Sequence, residues 1–229
     1  MMHEDSRPIR VWGIGSGRCM RVHWVAQELG LDYEVMPVLS RSGETATDSF
    51  TELNPKQKIP VLQHGSVTLS ESAAIITYLS EVFPSPSVFY VPTDPVNRGM
   101  MNQWCFFICM ELDAHTLYLI RRHEGLKDIY GEAPTAVSSA EQYFSWQMGA
   151  VVKRLETVDQ YLFGDKISVA DILLSSCIGW AVHYHIQVPE DVHEYQARIT
   201  DRPAYQAAFE VNYPNGLPVD GRSGSKAIS

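Results

Sequence analysis

Three short constellations in this chain have residue types and spacings that can do chemistry. The first is Ser70-Glu71-Ser72, directly before an apolar helical pattern. At a helix head the first N–H groups lack intrahelical partners and the dipole is positive, so a carboxylate can dock there. The Ser72 hydroxyl would add a bond, and Glu71 would take an ammonium beside it. An α-amino acid headgroup carries both charges on one carbon and matches this pair. Plain helix capping uses the same residue types, so the tripeptide alone leaves both readings open.

The second is Lys58-Ile59-Pro60-Val61. A proline that opens a strand cannot donate to the ladder. If the Ile59–Pro60 bond is cis, the backbone of Ile59 turns outward and can pair antiparallel with an extended peptide. An ordinary edge-strand proline is the commoner outcome. The third is Gly13-Ile14-Gly15-Ser16-Gly17, which puts a hydroxyl just ahead of a helix. Strand–GxGxG–helix approaches a dinucleotide loop, but the spacing fails, because GxGxxG is required. The chain also enters a Pro-opened hairpin after its second strand, not further βα units.

These groups need elements to hold them. Ile9–Trp12 reads as a strand. Val22, Val25, Ala26 and Leu29 form one stripe of an amphipathic helix, which Gly30 ends. Tyr33–Leu39 reads as a second strand and Asp48–Leu53 as a short helix. Two short runs around His64-Gly65-Ser66 read as a hairpin, and Ser70–Val82 as a helix. The order is βαβ, then ββα. Phe83–Pro95 holds Pro84, Pro86, Pro92 and Pro95, a density that stops helices and marks a linker. Everything beyond reads as helix: Arg98–Arg122, apolar on nearly all faces and so expected to be buried on several sides; Ala136–Leu162; Ser168–Tyr184; Val192–Ile199; Pro203–Val211. The expected domains are 1–83, a linker 84–95, and an all-helical 96–229 ending in a frayed Gly221–Ser229. Ser168 and Asp171 have capping-box spacing, worth about 1–2 kcal/mol.

Composition narrows the function classes. The 229 residues suit two small domains. Lys and Arg number 18 against 27 Asp and Glu, a formal charge of −9, which repels nucleic acid and anionic membranes. The start, MMHEDSRPIR, has no apolar core for a signal peptide, and no apolar run is long enough to span a bilayer. Cys19, Cys105, Cys109 and Cys177 include no CxxC pair, which fits reduced structural thiols. His183 and His185 do not share a helix face and have no third ligand nearby, so no metal is expected.

Taken together in order and spacing, the motifs resemble the glutathione transferase superfamily. Leu53-Asn54-Pro55-Lys56-Gln57-Lys58-Ile59-Pro60-Val61-Leu62 is similar to the family's LNPxxKVPxL, and Leu69-Ser70-Glu71-Ser72-Ala73-Ala74-Ile75-Ile76-Thr77-Tyr78-Leu79 to its LxESxAIxxYL. Gln27-Glu28-Leu29-Gly30-Leu31-Asp32-Tyr33-Glu34 resembles its LEELGLxYE, and Gly164–Asp171 its GxxxSxAD helix start. The resemblance implies a thioredoxin-like N-terminal domain, a helical C-terminal domain and a cytosolic homodimer. It implies glutathione as co-substrate, held by Lys58, Ile59, Pro60, Glu71 and Ser72, with Ile59 pairing the cysteinyl backbone and Glu71 and Ser72 the γ-glutamyl end. In the serine-type classes, theta and zeta, the activating serine stands six residues before the stripe; counted from Val22, that is Ser16.

Gly17-Arg18 replaces the usual proline-containing turn, and Cys19 stands three residues after Ser16, where a thiol would support thiol exchange. Ser16 is preferred, since it lies at the helix mouth and Cys19 lies one turn in, on the core face. The expected reaction is conjugation of the glutathione thiolate to a small hydrophobic electrophile, against which Trp104, Phe107, Met110 and Tyr118 are candidate walls. Reduction or isomerisation through the same thiolate, or binding without turnover, are the alternatives.

Overall fold

The structure, a computed structural model, describes residues 7–217. The expectations for the first residues and for Gly221–Ser229 fall outside that range. In chain order the elements are β1 (Ile9–Trp12), α1 (Gly17–Glu28), β2 (Glu34–Met36), α2 (Asp48–Leu53), β3 (Val61–His64), β4 (Val67–Ser70), α3 (Ser72–Val82) and β5 (Phe89–Tyr90). Then follow α4 (Pro95–Phe107), α5 (Tyr118–His123), α6 (Lys127–Tyr130), α7 (Pro134–Leu155), β6 (Ile167–Ser168), α8 (Val169–His183), α9 (Glu190–Thr200) and α10 (Pro203–Asn212). The chain divides into two compact units, residues 7–91 with Arg202–Leu217, and Pro92–Asp201.

The first unit is built on a mixed sheet in the order β2-β1-β3-β4. β1 and β2 are parallel, with Val11 opposite Val35, and parallel neighbours need a crossover, which α1 supplies. β3 runs antiparallel to β1 and to β4, with Leu62 opposite both Val11 and Leu69. Val61 and Leu62 are both buried, so this central strand is covered on both faces. Val38, Phe50 and Val61 form one core cluster, with Trp12, Leu53 and Ile59 packed against it.

The stripe read on α1 is only part of its burial. Every residue from Cys19 to Ala26 is buried, and so is Glu28. The polar residues inside that run each have a partner, as buried polar groups require. Arg21 donates to Ser72 Oγ at 3.2 Å, and the His23 ring meets Gly13 O at 3.0 Å and the Tyr33 hydroxyl at 3.1 Å. Glu28 accepts from Trp24 Nε1 at 3.0 Å and from both Nε and Nη2 of Arg202 at 2.6 Å.

α10 is what closes over α1. A boundary that sends everything after residue 95 to a helical domain misplaces it: α10 completes the first unit. The Arg202 fork on Glu28 and the Trp24–Tyr205 ring contact at 4.8 Å join residues more than 170 positions apart, out of reach of any local pattern.

In the second unit, Asp94 caps α4 by accepting from the amides of Val96 and Asn97 at 3.0 Å each, and Pro95 sits in the first turn, where its missing N–H costs nothing. The expected single helix Arg98–Arg122 is instead α4, a π-helical stretch over Ile108–Leu117, and α5. It is not buried all round. Met101, Cys105, Ile108 and Leu112 face the core, whereas Met100, Phe106 and Met110 are 53, 66 and 63% exposed. An all-round apolar composition does not by itself demand burial on every side, and here Met100, Phe106 and Met110 lie at the surface.

α8 starts with the capping box expected of Ser168 and Asp171. Asp171 is fully buried and does more than cap. It accepts from Ser168 N at 2.9 Å and Ser168 Oγ at 2.5 Å, and also from Leu162 N at 2.8 Å and the Tyr195 hydroxyl at 2.7 Å. Burial pushes its carboxyl up, and these donors pull it back. No helix among the described residues is long and apolar enough to cross a membrane.

Candidate active site

Ser16 is the N-cap of α1, in extended conformation, and its Oγ accepts from Cys19 N at 3.2 Å. A hydroxyl that accepts from the helix keeps its own proton to donate elsewhere. The loop before it is tied down bond by bond. Gly13 N donates to Met36 O at 2.9 Å, Ile14 N to Val38 O at 3.0 Å, and Gly15 N to Asn212 O at 2.8 Å. Asn212 Nδ2 returns a bond to Ser16 O at 3.1 Å. Gly13 has φ 116°, and a Cβ there would lie 2.7 Å from Ile59 Cβ and 2.8 Å from Cys19 Sγ. Glycine therefore lets the loop lie directly on Ile59, which brings two of the three sequence constellations together.

Cys19 is fully buried, and burial pushes its thiol up to about 12, against the smaller opposing effects of the Ser16 bond and the Arg18 charge. A buried thiol held that high suits a structural role. Burial likewise lowers the pKa of His23, whose bond to Gly13 O works the other way. A neutral ring serves both its contacts with Nε2 donating to Gly13 O and Nδ1 accepting from Tyr33.

The Ile59–Pro60 bond is cis. Its approach is braced by Asn54, buried, whose Nδ2 donates to Lys58 O at 2.8 Å while its Oδ1 accepts from Lys56 N at 3.2 Å. Pro60 is buried, Ile59 half-buried and Lys58 exposed.

At the head of α3, Glu71 occupies the cap position with φ 77° and makes no side-chain cap bond. A non-glycine residue held at positive φ is strained, and such strain gathers at ligand clamps. Its carboxylate, exposed, lies 2.7 Å from Lys56 Nζ. Ser72 is buried at the first helical position, with the buried Arg21 guanidinium behind it. Arginine has no acceptor, so the Ser72 proton cannot point at Arg21 and remains for another partner. Dipole, hydroxyl and guanidinium all favour an anion here.

The candidate wall residues belong to the second unit. Trp104 and Phe107 are half-buried and touch edge to face, with centroids 5.6 Å apart, and Tyr118 is half-buried at the start of α5. Sequence reading missed Arg21, His23, Lys56 and Asn212. For Arg21 and His23 a signal existed: they are the two polar residues in the run Cys19–Ala26, whose other members are all apolar. For Asn212 there was none.

A family model described as the glutathione S-transferase N-terminal domain matches residues 7–81. The probable maleylacetoacetate isomerase 1 of Drosophila melanogaster is 32% identical over 176 residues, covering 75% of this chain and 68% of that protein. The chain belongs to the glutathione S-transferase family. Also similar to this glutathione S-transferase family member is the maleylacetoacetate isomerase of Rattus norvegicus, 26% identical over 220 residues, covering 94% of this chain and 96% of that protein. Among solved structures, the theta class glutathione S-transferase of Xanthomonas axonopodis pv. citri, with glutathione bound, superposes with a TM-score of 0.76 at 25% identity, covering 88% of this chain and 97% of that one. The family match spans the elements that carry Ser16, Ile59, Pro60, Glu71 and Ser72; α10 and Asn212 lie beyond it.

Proposed function

We propose that this enzyme binds glutathione in its first unit and directs the thiolate at an electron-poor carbon of a small hydrophobic substrate. The observation that carries the reading is the head of α3, uncapped by Glu71, where the Ser72 hydroxyl is backed by buried Arg21. The γ-glutamyl carboxylate takes the helix amides and the Ser72 proton. Its ammonium takes Glu71, displacing Lys56 from an exposed pair that contributes at most about 1 kcal/mol. Ile59 pairs with the cysteinyl backbone, with Lys58 beside it, and the thiol then lies towards Ser16.

A thiol of pKa about 8.5 is mostly protonated at neutral pH. Lowering it by about two units takes about 2.7 kcal/mol of preference for the anion. A hydroxyl donating to a thiolate supplies about 1.5–3 kcal/mol and the head of α1 about 0.3–1 more. Ser16 at that head suffices; the thiol proton leaves to water. The thiolate adds to the substrate, and in conjugation a leaving group departs with the electron pair while the carbon–sulfur bond stays. The reading includes a cytosolic homodimer, and the exposed Met100, Phe106 and Met110 suit contact with a second copy.

A second reading, a glutathione-dependent isomerase, is favoured by the names of the Drosophila and rat relatives. There the thiolate adds to a conjugated carbon–carbon double bond, the resulting single bond rotates, and elimination returns glutathione. Exchange through Cys19 is disfavoured by its burial. Turnover measured at fixed glutathione with an aryl halide, a mixed disulfide and a maleyl-type cis substrate separates these readings. We expect glutathione-dependent conjugation of the aryl halide. Isomerisation with little conjugation supports the second reading, and no turnover of any of the three contradicts both.

A further inference from the structure

We infer that Asn212, at the end of the chain's last described helix, is a positioning residue for the thiol-activating hydroxyl. The inference rests on the assignment of Ser16 as that hydroxyl. Asn212 is fully buried and brackets the loop with two bonds: its backbone carbonyl accepts from Gly15 N at 2.8 Å, and its Nδ2 donates to Ser16 O at 3.1 Å. These bonds hold the Ile14–Gly15 peptide one residue ahead of Ser16 and the Ser16–Gly17 peptide that leaves its Cα, and so limit the direction in which the side chain between them leaves the backbone.

The loop needs such a clamp. Gly13 and Gly15 stand at φ 116° and 75°, and glycine gives up such angles easily. β2 and the segment after it hold only Gly13 and Ile14, through Met36 O and Val38 O. From Gly15 onward the restraint comes from Asn212 and from the first turn of α1. The Asn212 Oδ1 meets no donor among the described residues, so the amide contributes here through its N–H, donated to Ser16.

The geometry of α10 keeps this contact in place. Arg202, just ahead of α10, forks onto Glu28 at the far end of α1, Tyr205 packs on Trp24, and Asn212 reaches Ser16 at the near end. α10 therefore runs antiparallel along α1, anchored at both ends. Glu71 and Ser72, at the other end of the proposed glutathione site, are held by different contacts, Ser72 by Arg21 and Glu71 by Lys56. Asn212 should thus tune the acidity of the bound thiol and leave anchoring alone.

The test is the pH titration of the thiolate absorbance of bound glutathione in wild type, Asn212→Leu, Ser16→Ala and the double variant. Affinity for S-methylglutathione, which has no thiol to ionise, serves as the control. Asn212→Leu should raise the apparent thiol pKa by about half to one unit, keep the S-methylglutathione Kd within about twofold, and add no shift in the Ser16→Ala background. If Asn212→Leu loses S-methylglutathione binding through misfolding, Asn212→Ser, which is smaller and also lacks the amide, carries the same expectation. A shift by Ser16→Ala with none in either Asn212 variant overturns the inference, as does an equal Asn212 shift with and without Ser16. No shift by Ser16→Ala itself overturns the Ser16 assignment, and the inference with it.

Discussion

Asp171→Ala should cost about 3–5 kcal/mol of stability, the range for breaking a buried charged network, and leave the glutathione Kd within about twofold. As a cap alone Asp171 would be worth about 1–2 kcal/mol. In the structure it also gathers the Leu162 amide and the Tyr195 hydroxyl, so one carboxylate joins the segment before α8, the start of α8 and α9. Alanine leaves those donors and the Ser168 amide buried without an acceptor, each at about 1–3 kcal/mol, partly offset because no buried charge remains. Asp171→Asn keeps the volume and one acceptor and should lose less. Denaturant unfolding reads the stability and calorimetry the affinity. A variant that stays as stable as wild type but fails to bind glutathione would place Asp171 in the ligand site, against this account.

Ser16→Ala should raise the apparent pKa of the bound thiol by about one to two units, equivalent to ~1.4–2.7 kcal/mol. The sign follows from what the hydroxyl does: it donates only to the anion, so removing it favours the protonated thiol. With the wild-type thiol near ~6.5, the thiolate fraction at pH ~7 and with it the conjugation rate should fall by about 3- to 25-fold, and the two enzymes should converge as pH rises above the variant's pKa. Cys19→Ala should leave the profile within error, because a buried thiol held up at about 12 carries no charge to lose. A pH–rate profile with an aryl halide measures both. A shift on Cys19→Ala with none on Ser16→Ala would move the protein toward thiol exchange.

Much of this site was legible in the sequence because its parts are local. The Ser16 loop, the proline-opened strand and the Glu71-Ser72 helix head each lie within a few residues, and their order along the chain carries the family resemblance. Their supports are not local. Arg21 meets Ser72 across 51 positions, and Asn212 meets Ser16 across 196. A hydropathy pattern reports that a helix has an apolar side, and α1 shows what it omits: its buried run still carries Arg21, His23 and Glu28, because His23 is paired by the flanking Gly13 and Tyr33 and the other two by the distant Ser72 and Arg202. The same limit misplaced α10, whose sequence reads as one more helix of an all-helical domain. In α4 and the π-helical stretch after it the error ran the other way, since apolar residues there face outward.

The head of α3 is expected to hold the γ-glutamyl end of glutathione, and the rest of the proposed site depends on that anchor. Calorimetric titration of glutathione into wild type, Glu71→Ala and Ser72→Ala tests it most directly. Glu71→Ala removes the partner of the ammonium, and Ser72→Ala removes a charge-assisted bond to the carboxylate at a site where the Arg21 guanidinium holds the hydroxyl. Each should weaken binding by at least ~1.5 kcal/mol, about tenfold or more in Kd. Affinity unchanged in both variants would contradict the account.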